Sequence, residues 1–146
     1  MNKNGGFSLI ELIIVIAIMA VLVAIVTPNL IQYIDKGKRS ADIKNLDEVK
    51  HQVTSCIANA SINNIDIIAL EDGVKNAEYL ISYNSSQDES IIVAKQNGTL
   101  EFAEMLKDLF CEEKIESKAD KKYNKVLIVI SGIKSAGYSV EVKYVS

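Results

Sequence analysis

An apolar stretch near the N-terminus limits most strongly what this chain can fold into. The stretch extends from Phe7 to Val26, and its only polar residues are Ser8 and Glu11. A helix of about twenty residues rises about 30 Å, which is close to the thickness of the hydrocarbon core of a bilayer. The sequence therefore predicts a helix that lies in a membrane or among other apolar helices, with one carboxylate inside it.

Glu11 is a costly residue in such a helix. A charge at the centre of an inserted helix costs about 2.5–3.5 kcal/mol, and less near an end of the helix. A secretory signal peptide does not fit, because its apolar core has roughly 7–15 residues and a small-residue cleavage site follows it. A plain single-span anchor explains the length of the stretch, but it explains neither Glu11 nor the Gly5-Gly6 pair before it.

The residues around Glu11 form a specific motif, which is followed by the apolar run and by Pro28. The motif closely resembles the N-terminus of type IV prepilins and reads Gly5-Gly6-Phe7-Ser8-Leu9-Ile10-Glu11-Leu12. The resemblance implies that prepilin peptidase removes residues 1–6 as a leader by cutting between Gly6 and Phe7, and then N-methylates Phe7. It also implies that Glu11 pairs with the α-amino group of Phe7 in a neighbouring subunit and sets the axial register between their helices.

The physical chemistry of these residues fits the implied roles. Glycine has no side chain, so an extended backbone at Gly6 can enter a narrow protease cleft. Cleavage creates a cation at the start of a helix, where the helix dipole disfavours it, so the amino group of Phe7 gains from a carboxylate partner. In apolar surroundings this attraction is stronger than in water. The alternative for Glu11 is a partner within its own chain, or contact with the membrane surface.

A single helix is predicted from residue 7 to about residue 60. Pro28, the only proline, removes a backbone donor and predicts a kink near its position. Residues 7–28 form the transmembrane or filament-core part, because one small domain cannot bury so apolar a segment. Residues 29–60 form an amphipathic half, in which apolar residues recur every three or four positions: Leu30, Ile34, Ala41, Leu46, Val49, Val53, Cys56 or Ile57, and Ala60.

The remainder, residues 61–146, predicts a head domain with a connecting αβ-loop and an antiparallel sheet. Strands are expected at 78–83, 91–95, 125–131 and 138–145, and a short amphipathic helix at 100–111. Residues Asn97-Gly98 leave a hairpin turn as the alternative to that helix. The charged segment 112–125 is expected to be a solvated loop.

Two of these strands carry information about packing. Alternating Tyr138, Val140, Val142 and Tyr144 predict a half-buried strand, most simply packed on the amphipathic half of the helix. Residues 126–130 are apolar on both faces, which indicates a central strand. The predicted fold class is therefore α+β: a long N-terminal helix, kinked near Pro28, whose C-terminal half packs on a small antiparallel sheet, as in the pilin fold.

The two cysteines leave two possibilities open. Cys56 and Cys111 either form a disulfide, which an exported domain permits, or remain two separate buried thiols. A bond closing a loop of this length stabilises a fold by about 4 kcal/mol before strain. In many pilins two cysteines bracket a C-terminal loop. Here the last two predicted strands lie outside the segment that Cys56 and Cys111 would enclose. No metal-ligand spacing and no cofactor site is predicted.

Composition and motifs exclude several classes of function. The chain has 16 basic and 19 acidic residues, a formal net charge of −3, and no basic stripe that would indicate a nucleic-acid surface. No nucleophile elbow, Walker loop or HExxH motif occurs, so no catalytic residues are predicted and the chain is not expected to be an enzyme.

The resemblance implies a major type IV pilin. Such a subunit is held as a single-pass protein in the inner or cytoplasmic membrane, and a pilus assembly platform polymerises it into an extracellular helical filament for adhesion, twitching motility, biofilm formation or DNA uptake. By the positive-inside rule, the basic residues Lys36, Lys38 and Arg39 beyond the span favour a cytoplasmic C-terminus, which is opposite to the orientation that an exported pilin subunit requires. Two alternatives stay open: a pseudopilin of a type II secretion or competence system, and a membrane-tethered binding domain that does not polymerise.

Overall fold

The part of the chain that the structure describes forms two helices and one sheet. The computed structural model describes residues 8–69, 76–84, 89–110, 115–120, 122–133 and 135–146. The elements in chain order are α1 (Leu9–Ile62), β1 (Asn76–Asn84), β2 (Glu89–Ala94), α2 (Leu100–Phe110), β3 (Lys125–Ile133) and β4 (Gly137–Val145). The predicted α+β class, with a long N-terminal helix and a small antiparallel sheet, is confirmed.

The first part of α1 has no apolar cover in the single chain. Every residue between Ser8 and Ser40 is exposed, and α1 is long and apolar enough to cross a membrane by its length and composition. Helical structure continues through Pro28, so a bend at that position stays a prediction. By its internal contacts the chain divides into two units, Met1–Lys38 and Arg39–Ser146.

The second part of α1 contributes one stripe to the hydrophobic core. Leu30 and Ile34 share the apolar spacing but are 53% and 48% exposed, so the stripe begins further along the helix. Its buried residues are Asp42, Val49, Val53, Cys56, Ile57 and Ala60, at intervals of three or four that place them on one helix face. Asp42 is the member of this stripe that apolar periodicity does not predict.

Helix α1 ends in a left-handed cap. Asn64 has a φ of 58°, a conformation that asparagine tolerates better than most residues. The N–H of Ile65 then donates to the carbonyl of Ala60 at 2.9 Å, which is the bond of a Schellman motif. Ala60 is buried in the hydrophobic core, and Ile65 is partly buried and packs against the same core. This cap ends α1 and begins the segment between α1 and β1, which is called the connector below.

The sheet is antiparallel throughout, with the strand order β2-β1-β3-β4. Residues Val126, Ile128 and Ile130 of β3 are fully buried, and both edges of the strand are paired, so the predicted central strand is confirmed. In β4 the residues at 139, 141 and 143 are exposed while those at 138, 140, 142 and 144 are buried or half-buried. This confirms the predicted alternation, with the apolar face turned toward the core.

Helix α2 begins after the Asn97-Gly98 turn, so the predicted helix is confirmed and the hairpin alternative is wrong. Thr99 caps the helix: its carbonyl accepts the N–H of Ala103 at 3.2 Å, and its Oγ1 accepts the N–H of Phe102 at 3.4 Å. A β-carbon at Gly98 would lie 3.0 Å from the ring of Tyr79. The turn therefore needs glycine at Gly98 to approach β1 this closely.

Candidate functional site

The first candidate site is the beginning of α1, where Glu11 lies. The carbonyl of Ser8 accepts the N–H groups of Glu11 and Leu12 at 3.1 and 3.3 Å. The N–H of Ser8 donates in return to Oε2 of Glu11 at 2.9 Å. Ser8 is thus the N-cap, and Glu11 occupies the third helical position, from which a glutamate reaches back in a capping box. In the single chain the carboxylate has a partner in its own backbone.

This cap could have been read from the sequence. The spacing Ser8-Leu9-Ile10-Glu11 before an apolar run is the signature of a capping box. A carboxylate oxygen has two acceptor positions, so Glu11 can hold the N–H of Ser8 and still receive a cation from another chain. The predicted cleavage residues Gly6 and Phe7 lie outside the described residues, and the cut and the methylation stay predictions.

The second polar centre, around Asp42, was missed by sequence reasoning. Asp42 is 8% exposed, and its carboxylate accepts three hydrogen bonds. The donors are Oγ of Ser117 at 2.6 Å and the N–H groups of Lys118 and Ala119 at 2.6 and 3.1 Å. These bonds fasten the segment after α2 to the side of α1. No local sequence signal indicates them, because the donors are remote along the chain.

The environment of Asp42 favours the ionised carboxylate. Burial by itself raises the pKa of Asp42. The hydrogen bonds from Ser117, Lys118 and Ala119, together with the charge of Lys118, outweigh burial and hold the pKa below the ordinary value of 3.8. Asp42 is therefore a charged anchor at neutral pH.

The Asp42 contacts also correct the prediction for segment 112–125. That segment was expected to be a solvated loop, but Ile115 and Ser117 are only 7% and 6% exposed. Ile115 joins the hydrophobic core, and Ser117 is held by Asp42. The prediction is wrong for these two residues. It rested on the charged composition of the segment, whereas Ile115 and Ser117 are uncharged and have partners elsewhere in the fold.

Tyr79 connects three elements inside the head domain. Its side chain is fully buried, and its ring packs edge-on against Phe102 of α2, with 5.2 Å between the centroids. Its hydroxyl donates to the carbonyl of Ile67 in the connector and accepts the N–H of Thr99 at 2.9 Å. The Thr99 hydroxyl donates to the carbonyl of Asp66. The connector is therefore held to β1 and to the start of α2.

We expect Tyr79→Phe to lower the free energy of unfolding by about 2 kcal/mol, because the buried carbonyl of Ile67 and N–H of Thr99 lose their partner. Denaturant unfolding of the full chain in detergent measures this change. Tyr123→Phe is the matched control, since Tyr123 is 39% exposed. Equal unfolding midpoints for the two variants would contradict the role given to the Tyr79 hydroxyl.

Cys56 is a free, buried thiol in the structure. Burial raises the pKa of this thiol, so it is protonated and weakly nucleophilic at neutral pH. It lines a groove of about 420 Å³ between α1 and α2, together with Met105 and Leu109. Cys111 lies outside the described residues, so the disulfide between Cys56 and Cys111 stays a prediction.

Among the described residues no group of three or more His, Cys, Asp or Glu side chains is arranged to hold a metal.

An exposed apolar helix with a carboxylate at its start, joined to a small antiparallel sheet, defines the prepilin class of protein. The family model for the prokaryotic N-terminal methylation motif matches residues 1–27. The fimbrial protein of Moraxella nonliquefaciens is 28% identical over 153 residues, which cover 99% of this chain and 95% of that protein. No solved structure matches the chain.

Two further relatives are more similar over shorter stretches. Prepilin peptidase-dependent protein A of Clostridium perfringens is 35% identical over 78 residues, which cover 51% of this chain and only 56% of that protein. The type IV wide pilus major component PilA4 of Thermus thermophilus is 33% identical over 108 residues, which cover 70% of this chain and 82% of that protein. The chain belongs to the type IV pilin family, a family of structural proteins.

Proposed function

We propose that this chain is the major structural subunit of a type IV pilus. Prepilin peptidase cuts it between Gly6 and Phe7 and methylates Phe7. The helix holds the subunit in the inner or cytoplasmic membrane until an assembly platform packs it, with other copies, into an extracellular filament. Two relatives support this assignment by their names, one as dependent on prepilin peptidase and one as a major component of a wide pilus.

The observation that carries the proposal is the pairing of an uncovered apolar surface with a carboxylate at its beginning. Residues 9–34 expose large apolar side chains around the helix, such as Leu9 at 79% and Ile25 at 63%. A surface of this kind requires lipid before assembly and other helices afterwards. Glu11 is the acidic residue in that surface, and it stands four positions after Phe7, whose amino group the cut would release.

Gly6→Val is expected to block the cut and leave the full leader on the protein. The branched side chain prevents the extended backbone from entering the peptidase cleft, so the intact mass should correspond to a chain that begins at Met1. Asn4→Val is the matched control: it introduces the same side chain two positions earlier and should still yield a chain that begins at methylated Phe7. Mature protein from Gly6→Val would point to a different protease.

The alternatives differ in what the processed chain builds. Immuno-electron microscopy of cells should show long surface filaments that contain the chain. Short periplasm-spanning assemblies instead would favour a pseudopilin. A processed chain that stays in the membrane as single copies would indicate a tethered binding domain.

A further inference from the structure

Strand β4 lies at one edge of the sheet. Among the residues that the structure describes, the backbone hydrogen bonds of β4 run to β3. The opposite edge, β2, is flanked by α2, and Nζ of Lys107 lies 3.1 Å from Oε1 of Glu89. The edge strand β4 has 9 residues and no proline. An edge strand of this kind presents N–H and C=O groups that can pair with another strand.

The side chains of β4 are complementary to a reversed copy of themselves. Glu141 and Lys143 are exposed on one face, and Val142 lies between them on the other. If two β4 strands run antiparallel with Val142 opposite Val142, each Glu141 lies opposite a Lys143, and this occurs twice. On the core face the same register places Val140 opposite Tyr144, which is an apolar pair.

The neighbouring registers are disfavoured by charge. A pairing centred on Glu141 places the two Glu141 carboxylates opposite each other, and a pairing centred on Lys143 does the same with two ammonium groups. Like charges directly opposite each other destabilise an antiparallel pair. A pairing displaced by a single position puts core-facing residues opposite solvent-facing ones. The register centred on Val142 satisfies both the charges and the two faces of the strand.

We infer that the free edge of β4 docks onto β4 of a second copy of this chain, antiparallel and centred on Val142. The contact is isologous, so one two-fold axis joins two four-stranded sheets into a continuous one. Neighbours within a helical filament are related by a screw operation, which repeats head-to-tail contacts. The contact rests on the proposed function at this point: in a type IV pilus, the two-fold contact joins subunits of different filaments.

The full unprocessed chain in detergent tests the pairing without requiring filaments. Copies labelled with ¹⁵N are mixed with unlabelled copies and treated with a carbodiimide, which joins a carboxylate to an amine as an amide. Mass spectrometry should find a Glu141–Lys143 product that contains one labelled and one unlabelled peptide. Isotope mixing is essential, because Glu141 and Lys143 are also neighbours on one face of their own strand.

Charge variants identify the register. Lys143→Glu and Glu141→Lys each place like charges opposite each other twice. Each also removes one of the two groups that the carbodiimide joins, so these variants are compared by the dimer fraction of the full chain in detergent, measured by sedimentation, which each should reduce about tenfold. The double variant with both changes restores opposite charges and should restore the dimer fraction. Lys125→Glu is the matched control, because it makes the same charge change on β3, whose two edges are already paired, and the dimer fraction should persist.

Three outcomes would overturn the pairing: no mixed-isotope product in the wild type, a dimer fraction that is unchanged in Lys143→Glu, or a double variant that does not recover the dimer. Electron microscopy separates this result from the proposed function. Lys143→Glu should still form filaments, since Glu11 and α1 are unchanged, but those filaments should no longer associate side by side. Absence of filaments from the wild type would contradict the proposed function and leave the cross-linking result standing.

Discussion

Glu11→Ala is expected to leave cutting by the peptidase intact and to abolish filaments. The substitution removes the proposed partner of the Phe7 amino group from an apolar contact between subunits. At an effective dielectric constant of about 20, such a pair at about 4 Å is worth about 4 kcal/mol, which is roughly a thousandfold in an association constant. Intact mass measures the processing, and electron microscopy of sheared cell-surface material measures the filaments.

Glu11→Gln separates the charge of this residue from its role as a helix cap. Glutamine can still accept the N–H of Ser8, as the third residue of a capping box does, but it carries no charge. We expect it to lose filaments as the alanine variant does. Filaments of Glu11→Gln at the wild-type level would assign Glu11 to capping alone. Glu48→Ala, an exposed change further along α1, is the control that should assemble normally.

Asp42→Ala is expected to lower the free energy of unfolding by about 3 kcal/mol. The change leaves the buried Ser117 hydroxyl and the N–H groups of Lys118 and Ala119 without their acceptor. Asp47→Ala, an exposed change on the same helix, should cost much less. Denaturant unfolding of the full chain in detergent measures both. If the two variants unfold at the same midpoint, the Asp42 contacts do not stabilise the fold.

The Asp42 contribution should also depend on pH in a defined direction. The pKa of Asp42 is lower in the folded chain than its ordinary value of 3.8. Its stabilising contribution is therefore complete above that value and is lost as the pH falls through the folded pKa. Asp42→Asn lacks this titration, so the difference in stability between wild type and Asp42→Asn should shrink in acid. A difference that is constant from neutral pH into acid would contradict this assignment.

Elements that depend on nearby residues could be predicted from the sequence. The apolar run predicted the beginning of α1, and the alternation with a period of two predicted β4. The segment 126–130, which is apolar on both faces, predicted the central position of β3. Each of these patterns is local, because it reflects how a helix or a strand presents its faces. Spacing alone does not show where the buried stripe of α1 begins, because Leu30 and Ile34 keep the same spacing and are 53% and 48% exposed.

The polar contacts within the unit Arg39–Ser146 depend on partners that are remote along the chain, so they could not be predicted in this way. Asp42 and Ser117 are 75 positions apart, and Tyr79 and Thr99 are 20 positions apart. On a helix pattern, Asp42 is simply one acidic residue among several. The capping contact of Glu11 is the opposite case, since its signature lies within four residues and was available in the sequence.

The hydrogen bond between Asp42 and Ser117 resembles a covalent cross-link in one respect, because it joins two residues that are 75 positions apart in the chain. It fixes two remote points of the chain and encloses the connector, β1, β2 and α2 between them. Such a tie is indifferent to the redox state of its surroundings, so it holds equally well in a reducing and an oxidising compartment. Protonation of the Asp42 carboxylate weakens this contact, whereas a thiol reductant does not act on it.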